Sequence, residues 1–438
     1  MVSYQEMSYT DLKAKLAELQ AEYAAFQSRG QKLNMARGKP SPNQLDEALS
    51  MLSVLPDDQR PLDSSGEDTR NYGTIRGIPE ARTLMGGILG VPAENVMVGN
   101  NASLNLMYDQ VARAMLFGIA GCKPQSEQRN RRFLCPAPGY DRHFAISAAF
   151  GYQNIPIPML EDGPDMDQVE QYISDPAVKG IWCVPKYSNP QGITYSEQVV
   201  RRFAALQPAA PDFRIYWDNA YAVHDLYPGS AETDHLLNLK TASDEAQNPD
   251  IWLMFASTSK ISFAGGGISA IASSEANLAE IEAHISIQTI GPDKVNQLRH
   301  VRWLESLGGG AGLALPGLKR HMQNLAALLA PKFQAVDKIL AQDLDGLGVA
   351  SWTKPRGGYF ISLEALPGTA KRTIALAKDA GVVLTEAGAT WPSGNDPLDS
   401  NIRIAPSYPS LEELEQASQL LTICLRLAAI EQLLQERV

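Results

Sequence analysis

Several features that mark particular protein classes are scarce in this sequence. Its 438 residues include only four cysteines, at Cys122, Cys135, Cys183 and Cys424, and no two of them form a CxxC pair. Neither a zinc site nor a disulfide framework is therefore expected, and the cysteine usage fits a reducing cytosol. Internal repeats and low-complexity segments are absent as well.

Positive charge and long apolar runs are also lacking. The chain carries 38 lysines and arginines against 49 aspartates and glutamates, which gives a formal net charge of −11. Because nucleic-acid phosphates are bound by basic surfaces, no nucleic-acid partner is expected. No uninterrupted apolar run reaches the length of a membrane span, and the first residues lack a signal-peptide pattern. These absences predict a soluble, cytoplasmic protein with no membrane partner.

The composition itself is that of an ordinary globular protein, with 44% hydrophobic and 20% charged residues. A chain of 438 residues is too long for one small core, so two domains are expected. A helix is predicted over residues 10–27, with Thr10 as its N-cap and Gly30 as its stop. Apolar residues recur there at helical spacing, namely Leu12, Leu16, Leu19, Tyr23 and Phe26.

Short β-rich runs alternate with helical ones through the middle of the chain. Such alternation predicts an α/β fold with a mostly parallel sheet covered by helices on both faces. Ligands bind such sheets at the carboxyl ends of the strands. The predicted strands are residues 95–99, 131–135, 152–159, 179–184, 213–217 and 251–256.

A change of pattern marks the C-terminal third. The glycine-rich segment at 308–317 has no predicted strand before it, so we interpret it as a break between helices or a domain boundary. Strands at 357–363 and 382–388 and a closing helix from Leu411 predict a smaller α+β domain that the N-terminal helix joins. We expect a joining segment at 1–48, a large domain at 49–310 and a small domain at 311–438.

Lys260 has an unusual position in the stretch STSKISFAGGGIS, residues 257–269, which follows the apolar run IWLMFA. A buried ammonium ion is costly unless it is used. Either the lysine stem reaches the surface, or its amine takes part in chemistry. Lys260 alone does not decide between these alternatives.

Other polar residues follow predicted strands at the same edge. Asn189 lies in SNPQG, and Asp218 and Tyr221 lie in DNAY. Ser257 and Ser259 precede the lysine directly. Each has a structural explanation when taken singly, as a turn former, a helix cap or a core aromatic. Their occurrence together at one sheet edge favours a site.

Two helix starts add to this set. Tyr140 and His143 stand three residues apart in PGYDRHF. The segment GNNASLN links a strand to a helix, so its backbone N–H groups can bind a phosphate. The residues of that cradle are Asn100, Asn101, Ala102 and Ser103.

Together these groups describe a site for a phosphorylated aromatic aldehyde. A lysine amine forms a Schiff base, a carboxylate keeps the ring nitrogen protonated, and a phenol and an amide face the ring hydroxyl. An aromatic side chain stacks on the ring, and a helix start takes the phosphate. The cofactor that these features predict is pyridoxal 5′-phosphate.

The same motifs resemble those of the fold-type I, class I aminotransferases, from about residue 33 to residue 403. Besides SNPQG, DNAY, STSK and PGYDRHF, the matching segments are NYGTIRGIPEAR at 71–82 and NIRIAPS at 401–407. The resemblance implies a large domain with a mostly parallel, seven-stranded sheet between helices and a smaller α+β domain. It also implies a homodimer that acts on small-molecule amino and 2-oxo acids.

The resemblance assigns a role to each residue. Lys260 carries the cofactor and moves the proton, Asp218 pairs with the ring nitrogen, and Tyr221 and Asn189 face the ring oxygen. Tyr140 stacks on the ring.

Further roles concern the surroundings of the ring. His143 lies behind Asp218, and Tyr72 reaches the cofactor phosphate of the partner subunit. Arg403 clamps the substrate α-carboxylate as a bidentate fork, near Asn189 and Gly38.

One position departs from the family pattern. The family has a phosphate-binding arginine eight residues after the lysine, where this chain has Ile268. Lys294 is a candidate replacement, and a solvated surface lysine is the alternative interpretation. The sequence is most similar to the divergent bacterial aspartate aminotransferases, which carry an RGKPS-type motif, here residues 37–41, and glycines after the lysine.

The expected activity is transfer of an amino group from aspartate to 2-oxoglutarate. A transaminase for another amino acid and a β-eliminating lyase remain alternatives, since the same cofactor constellation serves each. A non-catalytic effector-binding module needs a basic DNA-binding segment, which residues 1–30 do not provide. For the second substrate carboxylate, residues 282–294 offer no arginine, so Arg142 is the first candidate and Arg37 the second.

Overall fold

Helices and strands alternate along most of the chain, as the sequence predicts. A computed structural model describes residues 2–437. The α-helices are α1 (Tyr9–Gln27), α2 (Pro42–Asp46), α3 (Pro79–Leu89), α4 (Ser103–Phe117), α5 (Asp141–Ala149), α6 (Met166–Tyr172), α7 (Glu197–Ala204), α8 (Leu239–Glu245), α9 (Glu275–Gln288), α10 (Lys294–Gly308), α11 (Ala314–Leu344), α12 (Ala370–Asp379) and α13 (Leu411–Gln435).

The strands are short, and most of them fall in the large central sheet. They are β1 (Leu33–Asn34), β2 (Val96–Val98), β3 (Arg132–Ala137), β4 (Gln153–Leu160), β5 (Gly163–Pro164), β6 (Val178–Cys183), β7 (Arg214–Asp218), β8 (Trp252–Ser257), β9 (Ser269–Ala272), β10 (Ala350–Trp352), β11 (Ile361–Ala365), β12 (Val382–Val383) and β13 (Asn401–Ile404).

The large sheet has the strand order β2-β9-β8-β7-β6-β3-β4-β5. Strands β4, β3, β6, β7 and β8 pair in parallel, whereas β9 is antiparallel to both of its neighbours. The six strands predicted for this region are all present, and the mostly parallel α/β sheet is confirmed. The seven expected strands gain an eighth, because the two residues of β5 fold back antiparallel on β4.

Alternation along the central strands separates two apolar layers. Ile215 and Trp217 belong to one hydrophobic cluster, and Tyr216 between them belongs to another. On β8, Met254 likewise packs on the first face and Phe255 on the second. Helices cover both faces, which is why these strands are apolar throughout.

The small C-terminal unit is built around a three-stranded antiparallel sheet, β10-β11-β13. A third hydrophobic cluster joins this sheet to α11, α12 and α13. The N-terminal helix packs there too, through Leu12, Leu19 and Phe26. Along α11, Leu325 belongs to the large-sheet cluster and Leu329 to the small-unit cluster. The domain limits at 48 and 310 stay predictions.

Local features correct three sequence predictions. The N-cap of α1 is Ser8, whose hydroxyl accepts from the Asp11 amide, so Thr10 lies inside the helix. The strand expected at 357–363 begins only at Ile361. The strand expected at 382–388 is only two residues long, Val382–Val383, and pairs with the equally short β1.

Helix α13 qualifies the expectation that the chain has no span-length apolar segment. Within the described residues it alone matches a membrane span in length and composition, with a hydropathy of 1.3. However, 72% of that window is buried inside the protein. The helix packs against α1, α11 and α12, so its apolar character reflects a core position.

A buried ion pair holds the amino ends of β6 and β7 together, at the edge opposite the predicted site. Lys179 Nζ lies 2.8 Å from Asp212 Oδ1, and both side chains are almost fully buried. The other Asp212 oxygen accepts from Gln125 and Gln128. The paired charge is therefore enclosed by polar partners, as a buried ion requires.

We expect Asp212→Asn to lower the free energy of unfolding by about 3–5 kcal/mol, because it leaves the Lys179 ammonium buried without a counter-charge. Urea unfolding followed by far-UV circular dichroism measures the change. Lys179→Met in the same background should recover most of the loss. Asp244→Asn, which breaks an exposed pair with Lys240, is the control. Equal effects of Asp212→Asn and Asp244→Asn would contradict the prediction.

Candidate active site

The carboxyl ends of β7 and β8 bring the predicted lysine and aspartate to one cleft. Asp218 is the last residue of β7, and Lys260 lies three residues beyond β8. Lys260 Nζ is 4.9 Å from the centre of the Tyr221 ring and 5.9 Å from that of Tyr359. Burial lowers the pKa of Lys260, and the negative charge of Asp218 partly opposes this shift. The amine is thus easier to deprotonate than a surface lysine.

One carboxylate oxygen of Asp218 is hydrogen-bonded within the protein, and the other is not. His143 Nε2 donates to Asp218 Oδ2 at 3.1 Å, and the His143 ring stacks on Trp182 with centroids 4.6 Å apart. Asp218 Oδ1 is buried and has no hydrogen-bond partner among the described residues. A buried carboxylate oxygen without a donor is costly, so this atom is suited to a protonated group supplied by a ligand.

Two tyrosines flank the carboxylate. Tyr221 is buried, and burial raises the pKa of its phenol well above the usual range. Tyr140 stands at the start of α5, and burial raises its pKa to about 12. Both phenols are therefore protonated donors at neutral pH.

Arg403 comes to the cleft from the small unit, on β13. Its Nη1 donates to Asn189 Oδ1 at 3.3 Å and to Asp141 Oδ1 at 3.1 Å. Its Nη2 donates to Thr385 Oγ1 at 3.3 Å. The side chain is only 8% exposed, and its charge is therefore directed to these partners and to the cleft.

The GNNAS segment forms the turn between β2 and α4. No side chain caps the helix at Ala102, and the Asn105 amide already donates to the Ala102 carbonyl, which leaves the amides of Ser103 and Leu104 for an anion. The Asn101 side chain faces the loop after Lys260, since its Oδ1 accepts from Gly267 N at 2.8 Å, whereas Asn100 Oδ1 accepts from Asp293 N at 2.9 Å. The Asn100 carbonyl accepts from Ser269 Oγ at 2.7 Å.

The two serines of STSK contact each other, with Ser257 Oγ 3.1 Å from Ser259 Oγ. Ile268 does not face this side, because it is fully buried in the cluster on the opposite face of the sheet. Lys294 is not a solvated surface lysine. It is 4% exposed, its Nζ donates to Gly73 O at 2.9 Å, and desolvation lowers its pKa.

Three predicted residues are exposed, and a fourth, Gly38, packs beside the buried cluster. Tyr72 is 79% exposed, and Arg37 is exposed as well. The Arg142 side chain is 61% exposed, with its Nε 4.0 Å from Asp141. Gly38 packs on Phe360, where an added Cβ would come within 2.3 Å of the ring. Phe360 in turn lies under the Arg403 guanidinium.

The sequence did not point to several residues that complete the site. Asp141 and Thr385 hold Arg403, whereas His224 and Tyr359 contact the Lys260 carbonyl. Asp141 stands between two residues of the PGYDRHF motif, so its position was a usable signal. The contacts of Thr385, His224 and Tyr359 join residues far apart in the chain, so no local sequence pattern predicts them.

Comparison with known proteins places this geometry in a family. The family model described as aspartate amino-transferase matches residues 7–437. A relative from Mycolicibacterium smegmatis, named as an aminotransferase, is 50% identical over the full length of both chains. The aspartate aminotransferase of Corynebacterium glutamicum is 45% identical, over 97% of this chain and 94% of that protein.

Solved structures agree with these matches. The crystal structure of an aspartate transaminase from C. glutamicum superposes with a TM-score of 0.93, at 42% identity and over 99% of each chain. The α-aminoadipate aminotransferase of Thermus thermophilus, complexed with N-(5′-phosphopyridoxyl)-L-leucine, has a TM-score of 0.71 at 19% identity, which shows the shared fold. It covers 98% of this chain and is itself covered completely. The chain belongs to the aspartate aminotransferase family.

Proposed function

We propose that the protein transfers the amino group of aspartate to 2-oxoglutarate with pyridoxal 5′-phosphate as its cofactor. The observation that carries the proposal is the pairing of Lys260, whose pKa is lowered by burial, with the open oxygen of Asp218. When bound, the cofactor supplies an electron sink for the bond that is broken at the substrate α-carbon. The family relationship supports the same activity.

The residues present fit this cofactor. Asp218 Oδ1 needs a donor, which a protonated ring nitrogen provides, and His143 fixes the carboxylate in place. The uncapped start of α4 offers amides to the phosphate. Tyr140 would cover the ring, and Tyr221 and Asn189 would face the ring oxygen.

Lys260 would hold the cofactor and then move a proton to and from the substrate α-carbon. A base for this task works best with a pKa near the operating pH, and burial shifts Lys260 in that direction. Tyr221 and Asn189 would donate to the ring oxygen and so adjust the basicity of the site. Arg403 would orient the substrate by binding its α-carboxylate.

The second carboxylate of aspartate needs a cation of its own. Arg142 is our first choice, because it follows Asp141, which contacts Arg403, and its exposed side chain is free to turn into the cleft. Arg37 is the second choice, because it precedes Gly38, which packs on Phe360.

We also propose that the enzyme is a homodimer with composite sites. Tyr72 is 79% exposed, Ile287 85% and Ile290 60%, and the Gly73 amide bonds the Ile290 carbonyl. Exposed apolar side chains of this size, next to one another, mark an interface. A cavity of about 420 Å³ lined by Asn100 lies beside this surface, since Gln288, Thr289 and Pro292 also line it.

The family relationship supports a cytoplasmic location. A transaminase for another amino acid, or a β-eliminating lyase, would use the same lysine and aspartate. Arg142 and Arg37 are the feature that separates these alternatives, since only an acidic substrate needs a second cation in the cleft. In each of these enzymes Arg403 would bind the α-carboxylate. A non-catalytic effector-binding module would not need a lysine whose pKa is lowered, as that of Lys260 is.

The first test concerns Lys260. Wild-type protein treated with pyridoxal phosphate and borohydride should gain the cofactor mass on Lys260, and Lys260→Ala should gain none. Glutamate formation from aspartate and 2-oxoglutarate should fall by about 10²–10⁴-fold or more, since the base is lost. Lys240→Ala, at an exposed pair, is the control. A wild-type protein that binds no cofactor would contradict the proposal.

The second test concerns the substrate side chain. If Arg142 binds the distal carboxylate, Arg142→Ala should lose about 2–5 kcal/mol of transition-state binding for aspartate and far less for alanine. Steady-state kcat/KM for both donors measures this, with Arg37→Ala as the matched comparison. Equal losses on both donors in both variants would place the clamp elsewhere or point to a non-acidic substrate.

The third test concerns the dimer. Tyr72→Ala and Lys260→Ala proteins should each be nearly inactive, and mixing them should restore up to about a quarter of wild-type activity, because half of the dimers then have one intact site. Sedimentation velocity checks the oligomeric state in parallel. A fully active monomer would contradict the proposal, as would a mixture no more active than its components.

A further inference from the structure

The segment that carries Lys260 is held by buried histidines. His224 Nε2 lies 3.3 Å from the Lys260 carbonyl, which also accepts from the Tyr359 hydroxyl at 3.4 Å. His321 Nε2 lies 2.6 Å from the carbonyl of the next residue, Ile261. Two consecutive peptide groups at the lysine are thus fixed by side chains from distant parts of the chain.

A third histidine, His300, contacts the same segment in the opposite sense. Its Nδ1 is 2.8 Å from the Asn296 carbonyl, which can only accept, so Nδ1 carries the proton. Nε2 of the neutral ring is then an acceptor. It lies 2.8 Å from Ser262 Oγ and 3.1 Å from Thr258 Oγ1. The His300 ring therefore contacts the hydroxyl of Thr258, two residues before Lys260, and that of Ser262, two residues after it.

Thr258 extends this contact to the end of the loop. The Ile268 amide donates to Thr258 Oγ1 at 2.9 Å, and the Thr258 amide donates to the Ile268 carbonyl at 2.8 Å. Ser262 Oγ also lies 3.2 Å from the Thr258 carbonyl. The loop from 258 to 268 is closed at its base by one polar network, whose centre is the His300 ring.

The protonation state suits this role. Burial lowers the pKa of His300 to about 4, so its ring is neutral at physiological pH. A protonated ring would carry a second N–H where Ser262 and Thr258 present their oxygens, and the acceptor would be lost. The tautomer follows from the distances, and the lowered pKa agrees with it.

We propose that His300 is a positioning residue for Lys260, which fixes the loop at 258–268 by accepting from Ser262 and Thr258 and thereby sets the direction of the lysine side chain. This inference rests on the proposed function of Lys260. Among the residues that the structure describes, the hydrogen-bond partners of the fully buried His300 are Asn296, Thr258 and Ser262, so it acts through the loop and not on a substrate.

The test compares two replacements of one ring. His300→Phe keeps an aromatic ring but removes the acceptor, whereas His300→Gln places an amide oxygen near the position of Nε2. In cofactor-free protein, hydrogen exchange of the peptide at 258–268 should become at least about tenfold faster in His300→Phe, with strands β6 and β7 unchanged. His300→Gln should restore much of the protection.

The loaded enzyme gives a second readout. His300→Phe should lower kcat about 10- to 100-fold with KM within about twofold, because the base is misdirected while substrate contacts survive. The pH midpoint of the cofactor absorbance should also shift. Ser262→Ala, which removes one donor, should move each quantity in the same direction by less, and it serves if His300→Phe does not fold.

His235→Gln, at an exposed histidine, is the control and should behave as wild type. The inference is overturned if His300→Phe and Ser262→Ala match that control in exchange, kcat and absorbance midpoint, or if exchange rises equally across the whole chain. Failure of the proposed function would show differently, as a wild type without bound cofactor or transamination.

Discussion

The removal of the Lys260 amine from water is the constraint on which the rest of the site depends. The amine lies near the faces of two tyrosines, and burial lowers its pKa. The negative charge of Asp218 partly opposes that shift. A lysine placed in this way would weaken the fold if it served only structure, because its charged form is desolvated with little return. The contacts of His224 and Tyr359 with the Lys260 carbonyl instead hold the lysine in this buried position.

The buried carboxylate of Asp218 is likewise not fully stabilised by the protein itself. One oxygen receives His143, which is itself stacked on Trp182, and the other oxygen is left without a donor. A carboxylate built only for stability would have both oxygens satisfied. Oδ2 of Asp218 is fixed by His143, and Oδ1 remains available to a ligand in the cleft. Electrostatic catalysis requires preorganised groups of this kind.

Much of this could be predicted from the sequence, because the information is local. Strand ends, the Asn-Pro turn at Asn189 and the polar residues directly after apolar runs each occupy a few consecutive positions. The carboxyl ends of parallel strands then meet at one edge without further information. His224, His300 and His321 could not be found in this way, since each contacts the Lys260 segment across 36 to 60 residues. A single histidine, whether in a loop like His224 or in a helix like His300 and His321, carries no sequence signal of such a contact.

The departure at Ile268 has a geometrical explanation that position counting could not provide. On β9, Ala270 and Ala272 face the first apolar layer and Ile271 the second, so alternation puts Ile268 with the alanines. The residue at the start of β9 that faces the opposite side of the sheet is therefore Ser269, nine positions after Lys260, whose hydroxyl donates to the Asn100 carbonyl. Ile268, eight positions after Lys260, therefore points into the core. If the cofactor binds as proposed, its phosphate would be held by backbone amides at the start of α4 and by cations outside β9.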